Sequence, residues 1–337
     1  MKQRMRILRT QPGMSLIELM ISLLIGSILM VGAVTIFVKS KDTYRLNETM
    51  GRIQENARLA LAMLGPDMRL ASFWGRGSDA GVIAGGAGET DVIPAGLAVA
   101  GSCRQNWAID VDLAIEGANN NFPYAGCPPF GSGAQPASDV IVTRHASSTP
   151  VAAATAGRIQ VFSMRMAGSL FADGVIPVAP PGSTSRVANL ITHAYYVSQD
   201  SGPGPVPFGS GVGVPSLRRK ALVPGPSVQD QEISPGIEDL QVQFGLDTNI
   251  VGSAFRGSVN RWVDPGNPLI DPLSGGFNPN AKIVAVKIWL LIRAERPEPG
   301  FTNTTNYVYA DQNVTFNDNF RRLLVSETYQ LRNTWVN

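Results

Sequence analysis

At 337 residues and 44% apolar, the chain can bury a core as one large domain or two modest ones. Its 35 glycines and 24 prolines make up about a sixth of the residues, which implies many turns but stays below the level of a disordered polymer. The formal charge of +2 belongs to the N-terminus: Lys2, Arg4, Arg6 and Arg9 stand there without an acid, and taking these four from 28 leaves 24 basic against 26 acidic side chains. No basic footprint for nucleic acid survives that subtraction.

From Leu19 to Val38 run twenty residues without a charge, about 30 Å of helix, which matches the hydrocarbon core of a membrane. Gly26 and Gly32 are tolerated in such a helix because small residues let membrane helices pack closely. The basic leader stays cytoplasmic by the positive-inside bias, placing Lys39 onward on the far side, the periplasm of a bacterial cell. Glu18 is the lone acid at the head of this run, and an acid in lipid implies a partner. An ordinary secretory signal is cut after its apolar region at a small-residue site. The stretch KSKDTYRLNETM after Val38 has none, whereas Gly13 stands in front of the run. A cut after Gly13 leaves the helix on the mature protein, with Met14 first and Glu18 fifth.

The stretch Gly13-Met14-Ser15-Leu16-Ile17-Glu18 resembles the class III signal of type IV pilins and type II secretion pseudopilins. The resemblance implies a membrane-embedded aspartyl prepilin peptidase that cuts after Gly13 and methylates the new N-terminus at Met14. Met14 departs from the phenylalanine usual at that place, and Met5 offers an alternative start. The resemblance also implies that Glu18 meets the N-terminal amine of a neighbouring subunit and sets axial register, since opposite charges attract strongly in a low-dielectric setting. A plain signal anchor that keeps its leader is the alternative.

The helical pattern continues past the membrane: Ile53, Ala57, Ala60, Leu61, Leu64 and Met68 recur at three- and four-residue spacings. This predicts one helix from about residue 15 to 64, roughly 75 Å long, half in the membrane and half laid on a globular domain. Gly65-Pro66 ends or bends it, with a short continuation to Leu70. The expected divisions are a cleaved leader, 1–13; a transmembrane half, 14–38; a periplasmic half of the helix, 39–70; and a β-rich domain, 71–337.

Cys103 and Cys127 lie in a Gly/Asn/Pro-rich stretch. An even count in an exported domain suggests one disulfide, two buried thiols being the alternative. Beyond residue 75, short apolar runs alternate with Gly/Pro/Ser loops. They predict strands over 139–144, 158–164, 190–197, 217–223, 240–246, 283–292, 307–309 and 323–331. Leu240, Val242 and Phe244 face one way, and Val284, Val286, Ile288, Leu290 and Ile292 form the inner face of the longest strand, with Lys287 and Trp289 opposite. The fold class is α+β: a long N-terminal helix packed on an antiparallel sheet.

Three stretches resemble PilW-type minor pilins: Asn56–Leu61 with Asp67-Met68-Arg69, Ile233–Phe244, and Phe320-Arg321-Arg322 through Leu331-Arg332-Asn333. The resemblance implies a non-catalytic subunit that helps initiate type IV pilus assembly and supports twitching motility or adhesion. Its partners would be the prepilin peptidase and methylase, other minor pilins and the major pilin, a tip-associated adhesin and the inner-membrane assembly platform. The competing reading within the same class is a J-type minor pseudopilin of type II secretion. From another class, it is a membrane-anchored periplasmic enzyme or binding protein.

Signals for chemistry are weak. Gly85–Gly88 and Gly209–Gly213 lack the spacing of a phosphate-binding loop, and Gly131-Ser132-Gly133 lacks that of a nucleophile elbow. With only His145 and His193, a Ser-His-Asp arrangement or a metal site is not expected, and no cofactor is implied. Asp247-Thr248-Asn249 begins like a calcium loop, but Val251 and Ser258 occupy positions that need oxygen ligands. A different ion site using Asp247, Asn249 or Asp264 stays open. Asn303 and Asn313 fit the glycosylation pattern but read as loop residues, and Trp262, Trp289 and Trp335 read as core or strand-edge residues.

Overall fold

A computed structural model describes residues 13–77, 79–202, 213–249, 256–271 and 274–335. Residues 1–12 of the leader, Gly209–Val212 of the second glycine run, Val251 and Gly252 of the calcium-like stretch, and the side chain of Trp335 lie outside that description. One helix, α1 (Leu16–Leu70), opens the chain. The chain divides into two compact units, one ending at Gly51 and the other running from Arg52 to Asn337.

In the first unit, α1 starts directly after Ser15, a residue type favoured at a helix N-cap. Glu18 sits in its first turn, where the helix macrodipole favours an acid. The apolar side chains from Leu16 to Val38 are exposed. The helix is long and apolar enough to cross a membrane, by length and composition.

The second unit opens with the last turns of α1, which bury Ile53, Ala57, Ala60, Leu64, Gly65 and Met68 against the β-rich body. The helix runs through Pro66 and ends at Leu70, the end of the short continuation expected beyond Gly65-Pro66. Proline costs α1 one backbone hydrogen bond there, and tertiary contacts outweigh the loss. Gly65 lets the Tyr329 ring pack close, since an added Cβ would stand 3.2 Å from a ring carbon, and the Tyr329 hydroxyl donates to the Leu61 carbonyl at 3.3 Å.

Fourteen strands follow among the described residues. They are β1 (Ile83–Ala84), β2 (Ile115–Ala118), β3 (Val140–Pro150), β4 (Gln160–Ser163), β5 (Gly168–Phe171), β6 (Arg186–Ser198) and β7 (Ser216–Val223). Then come β8 (Ser227–Pro235), β9 (Ile237–Asp247), β10 (Arg261–Val263), β11 (Lys282–Arg293), β12 (Asn306–Tyr309), β13 (Gln312–Thr315) and β14 (Arg322–Gln330). All eight expected runs are strands. β1, β2, β5, β8, β10 and β13 carry too few alternating apolar residues to have been read; β8, with sequence SVQDQEISP, is a polar edge strand.

The antiparallel β domain expected from the sequence is built, among the described residues, of three sheets. The largest has eight strands in the order β1-β5-β4-β6-β3-β2, with β7 and β8 branching from β6. The branch is possible because β6 pairs β4 through Arg186–Asn189 and β7 through His193–Ser198, with β3 along its other edge. A four-stranded sheet, β10-β9-β11-β14, and the β12-β13 hairpin complete the set. Every pairing between these strands is antiparallel except β1 with β5.

Strand β9 joins the two larger sheets. The backbone N–H of Asp139, just before β3, donates to the Leu240 carbonyl at 2.8 Å, and Val242 N–H donates to the Asp139 carboxylate at 2.8 Å. The turn from β8 into β9 is Pro235-Gly236, whose glycine takes φ +78°, a left-handed conformation that suits glycine. Leu240, Val242 and Phe244 are buried on one face of β9, and Val284, Val286, Ile288, Leu290 and Ile292 on one face of β11. Lys287 and Trp289 are half-buried on the opposite face, and Trp262 is exposed on the edge strand β10.

Candidate processing and assembly site

The elements around the expected cleavage point are simple. Gly13, Met14 and Ser15 precede α1, and all three are exposed. A spanning helix must satisfy its polar groups internally, and its hydroxyls do so by bonding back to the preceding turn. Ser22 donates to the Glu18 carbonyl at 2.7 Å, Ser27 to Leu24 at 2.8 Å and Thr35 to Val31 at 2.8 Å. The Glu18 carboxylate has no such partner among the described residues. It is the one charged side chain between Gly13 and Val38, and its own helix does not satisfy it.

Cys103 and Cys127 form a disulfide, which closes the alternative of two free thiols. It packs with Trp107, Tyr124, Val140 and Tyr196, anchoring the loop region before β3 to the large sheet. Beside it, Glu116 of β2 takes Arg104 at 2.8 Å, Arg144 at 3.1 Å and the Tyr124 hydroxyl at 3.1 Å. Burial pushes the Glu116 carboxyl up, but the two guanidinium groups outweigh it and hold the group at about 2.

The two histidines, which the sequence left without a task, meet on α1. His193 Nδ1 lies 2.5 Å and the Tyr195 hydroxyl 2.7 Å from Asp67 Oδ2, while His145 Nε2 lies 3.4 Å from Oδ1. Burial pushes the Asp67 carboxyl up, and the two imidazoles overcome it, holding it well below the usual carboxylate range. The groups round this carboxylate are two imidazoles and a phenol, and the cluster ties α1 to β3 and β6. Asp67 belongs to one of the PilW-like stretches, yet nothing in its neighbourhood along the chain signals these partners.

The other two PilW-like stretches meet as well. Arg322, at the start of β14, pairs with Glu238 of β9 through contacts of 2.5 and 3.0 Å, and Arg293 of β11 joins at 3.3 Å. Asp318 takes the remaining donors of Arg322 at 2.6 and 2.7 Å. Hydrogen bonding to Arg322 holds the Asp318 carboxyl below its ordinary value.

The remaining sequence signals resolve into structure. Asp247 accepts from Asn249 N–H and side chain at 2.9 and 2.7 Å and from Gly257 N–H, and Asp264 accepts from Gln243 at 2.9 Å. Both carboxylates are thus occupied by protein donors. Among the described residues no group of three or more His, Cys, Asp or Glu is arranged to hold a metal. Gly88 N–H caps Asp91 at 2.8 Å, and Ser132 N–H donates to Asp200 at 2.6 Å. Asn303 is buried and donates to Tyr307 and Phe320 at 3.1 Å, whereas Asn313 is exposed on β13.

Residues 194–333 match the family model of the type IV pilus-assembly protein W, PilW. The chain carries a PilW-like domain. This match runs from the second half of β6 to the turn after β14, taking in the whole four-stranded sheet and the Glu238–Arg322 pair. Residues 8–34 match the prokaryotic N-terminal methylation motif, which covers Gly13, Met14 and Glu18. A PilW-like domain behind a prepilin methylation motif and one apolar helix is the make-up of a non-catalytic minor pilin of type IV pilus assembly. No curated protein and no solved structure matches the chain.

Proposed function

We propose that this minor pilin is cut after Gly13, methylated at Met14 and built into the pilus through its Glu18 carboxylate. The chain is held in the inner membrane by α1 with its β-rich body in the periplasm, and then passes into the filament. The observation that carries this reading is Glu18, without a partner among the described residues, at the head of an apolar run whose Ser22, Ser27 and Thr35 hydroxyls bond to the helix's own backbone. Cleavage creates a positive amine on each subunit, and a neighbour's amine supplies the missing partner. Either charge alone in a low-dielectric site is costly, whereas the pair is tolerated. The pairing therefore favours one axial register. The PilW match favours the pilus over the J-type pseudopilin of a secretion system.

In this reading the subunit acts early, with other minor pilins, the major pilin and a tip-associated adhesin, on the inner-membrane assembly platform. Twitching motility or adhesion depends on it indirectly. The test is Glu18→Ala, with the mature N-terminus read by intact mass and filament entry read in sheared pili. Normal cleavage with at least tenfold less subunit in pili is expected. Entry at the wild-type level would refute the docking role, and an N-terminus that keeps residues 1–13 would refute the processing.

A further inference from the structure

Among the described residues, strand β14 is an open edge of the four-stranded sheet and pairs with β11 alone. Leu331 N–H bonds Val284 C=O at 2.9 Å and Ala294 N–H bonds Arg321 C=O at 2.8 Å. With the unbroken register between β11 and β14, the odd-numbered residues of β14 therefore direct their backbone groups to β11. Those of Leu324, Ser326 and Thr328 point to the free side. None of these three amides has a partner among the described residues.

The other edges of the two larger sheets are blunted in the ways native proteins use against strand addition. β1, β2 and β10 have two, four and three residues. β8 carries Asp230 and Glu232, ends in Pro235 and is bridged at Ser227 by Ala100. β14 has nine residues, and its middle, Leu323–Thr328, contains no proline, no bulge and one charge, Glu327, which is taken up by Arg69 at 3.7 Å.

Beside this edge lies a groove of about 510 Å³ between β14 and the last turns of α1. Leu323 and Val325 on one wall and Leu61 on the other are only half-buried. Arg58 lines the same groove, is exposed and makes no ion pair among the described residues. An edge with free amides next to a pocket for alternate side chains is the geometry of strand addition, in which main-chain bonds provide affinity and the pocket provides specificity.

We propose that β14 receives an extended strand from another polypeptide, one with apolar residues on alternate positions and an acid on the same face, the apolar residues filling the groove and the acid meeting Arg58. The probe is a blocked nine-residue peptide of threonine alternating with valine, one valine replaced by glutamate, compared with its lysine counterpart. It is added to the full chain in detergent micelles. The glutamate peptide binds at least tenfold more tightly than the lysine peptide, and exchange at the Leu324, Ser326 and Thr328 amides slows at least tenfold.

Ser326→Pro removes one outward N–H without touching the ladder to β11, a substitution that edge strands tolerate, and it abolishes the protection. Should that variant fold poorly, Arg58→Glu on the exposed helix face tests the same surface by reversing the preference between the two peptides. Three results would overturn the proposal: no change in exchange at these amides, equal binding by Ser326→Pro, or amides already protected because two copies of the chain pair through β14, seen as a dimer by sedimentation.

Discussion

Replacing Asp67 with asparagine removes the charge on which His145, His193 and Tyr195 converge while keeping the side-chain shape. The Asp67 side chain is only 13% exposed, so solvent screening is modest. A hydrogen bond to a charged acceptor contributes about 1.5–3 kcal/mol, and part of the sum is offset by desolvation of the carboxylate. A net loss of about 3 kcal/mol follows from those two principles, or roughly 6–10 °C in the melting of a domain this large. The assay is thermal and urea unfolding of the full chain in micelles, wild type against Asp67→Asn, from pH 7 to pH 3. Because the folded carboxyl is held low, its stabilisation is complete above the unfolded value, about 3.9, and is lost as pH falls through the folded one. The gap between the two proteins should therefore be constant near neutrality and shrink below about pH 4. A gap under about 1 kcal/mol at pH 7, or one that widens on acidification, would refute the argument that this cluster fastens α1 to the sheet.

Opening the Cys103–Cys127 bridge by a double serine substitution should cost roughly 3 kcal/mol for a loop of this length, measured as a lower urea midpoint with the β-sheet circular dichroism retained. Glu238→Gln leaves Arg293 and Arg322 buried without their shared carboxylate, and a loss of about 3–5 kcal/mol is expected; a change within error in urea unfolding would show the pair to be dispensable. Burial pushes Asp139 up to about 7, against two backbone N–H donors that pull it down. A carboxyl raised in the folded state stabilises most below its unfolded value, and that contribution is lost as pH rises toward the folded one. Stability from this residue should therefore fall between pH 4 and pH 7, and Asp139→Asn should flatten that part of a stability–pH profile.

What was readable along the chain was what is local. The apolar run from Leu19 to Val38, the acid at Glu18 and the glycine at Gly13 are adjacent, so length and charge suffice to bring them together. The eight strands with alternating apolar residues were readable because period-2 patterning is a property of neighbours. β8 was not, because an edge strand half-exposed on both faces has no such pattern. The continuation of α1 past Pro66 to Leu70 was readable too, but not what holds it: Gly65 against Tyr329 and Asp67 against the histidines fasten the last turn.

The sequence by itself determined a membrane-grade helix with a processing motif, a lone acid, and a β-rich domain with PilW-like stretches. Tertiary structure alone decided that Asp67 finds His193 across 126 residues, that Glu238 finds Arg322 across 84, and that β14 is left as an open edge. The physical reason is range. Helix and strand signals repeat every few residues, whereas ion pairs and sheet edges depend on which segments end up side by side, and no spacing in the chain encodes that.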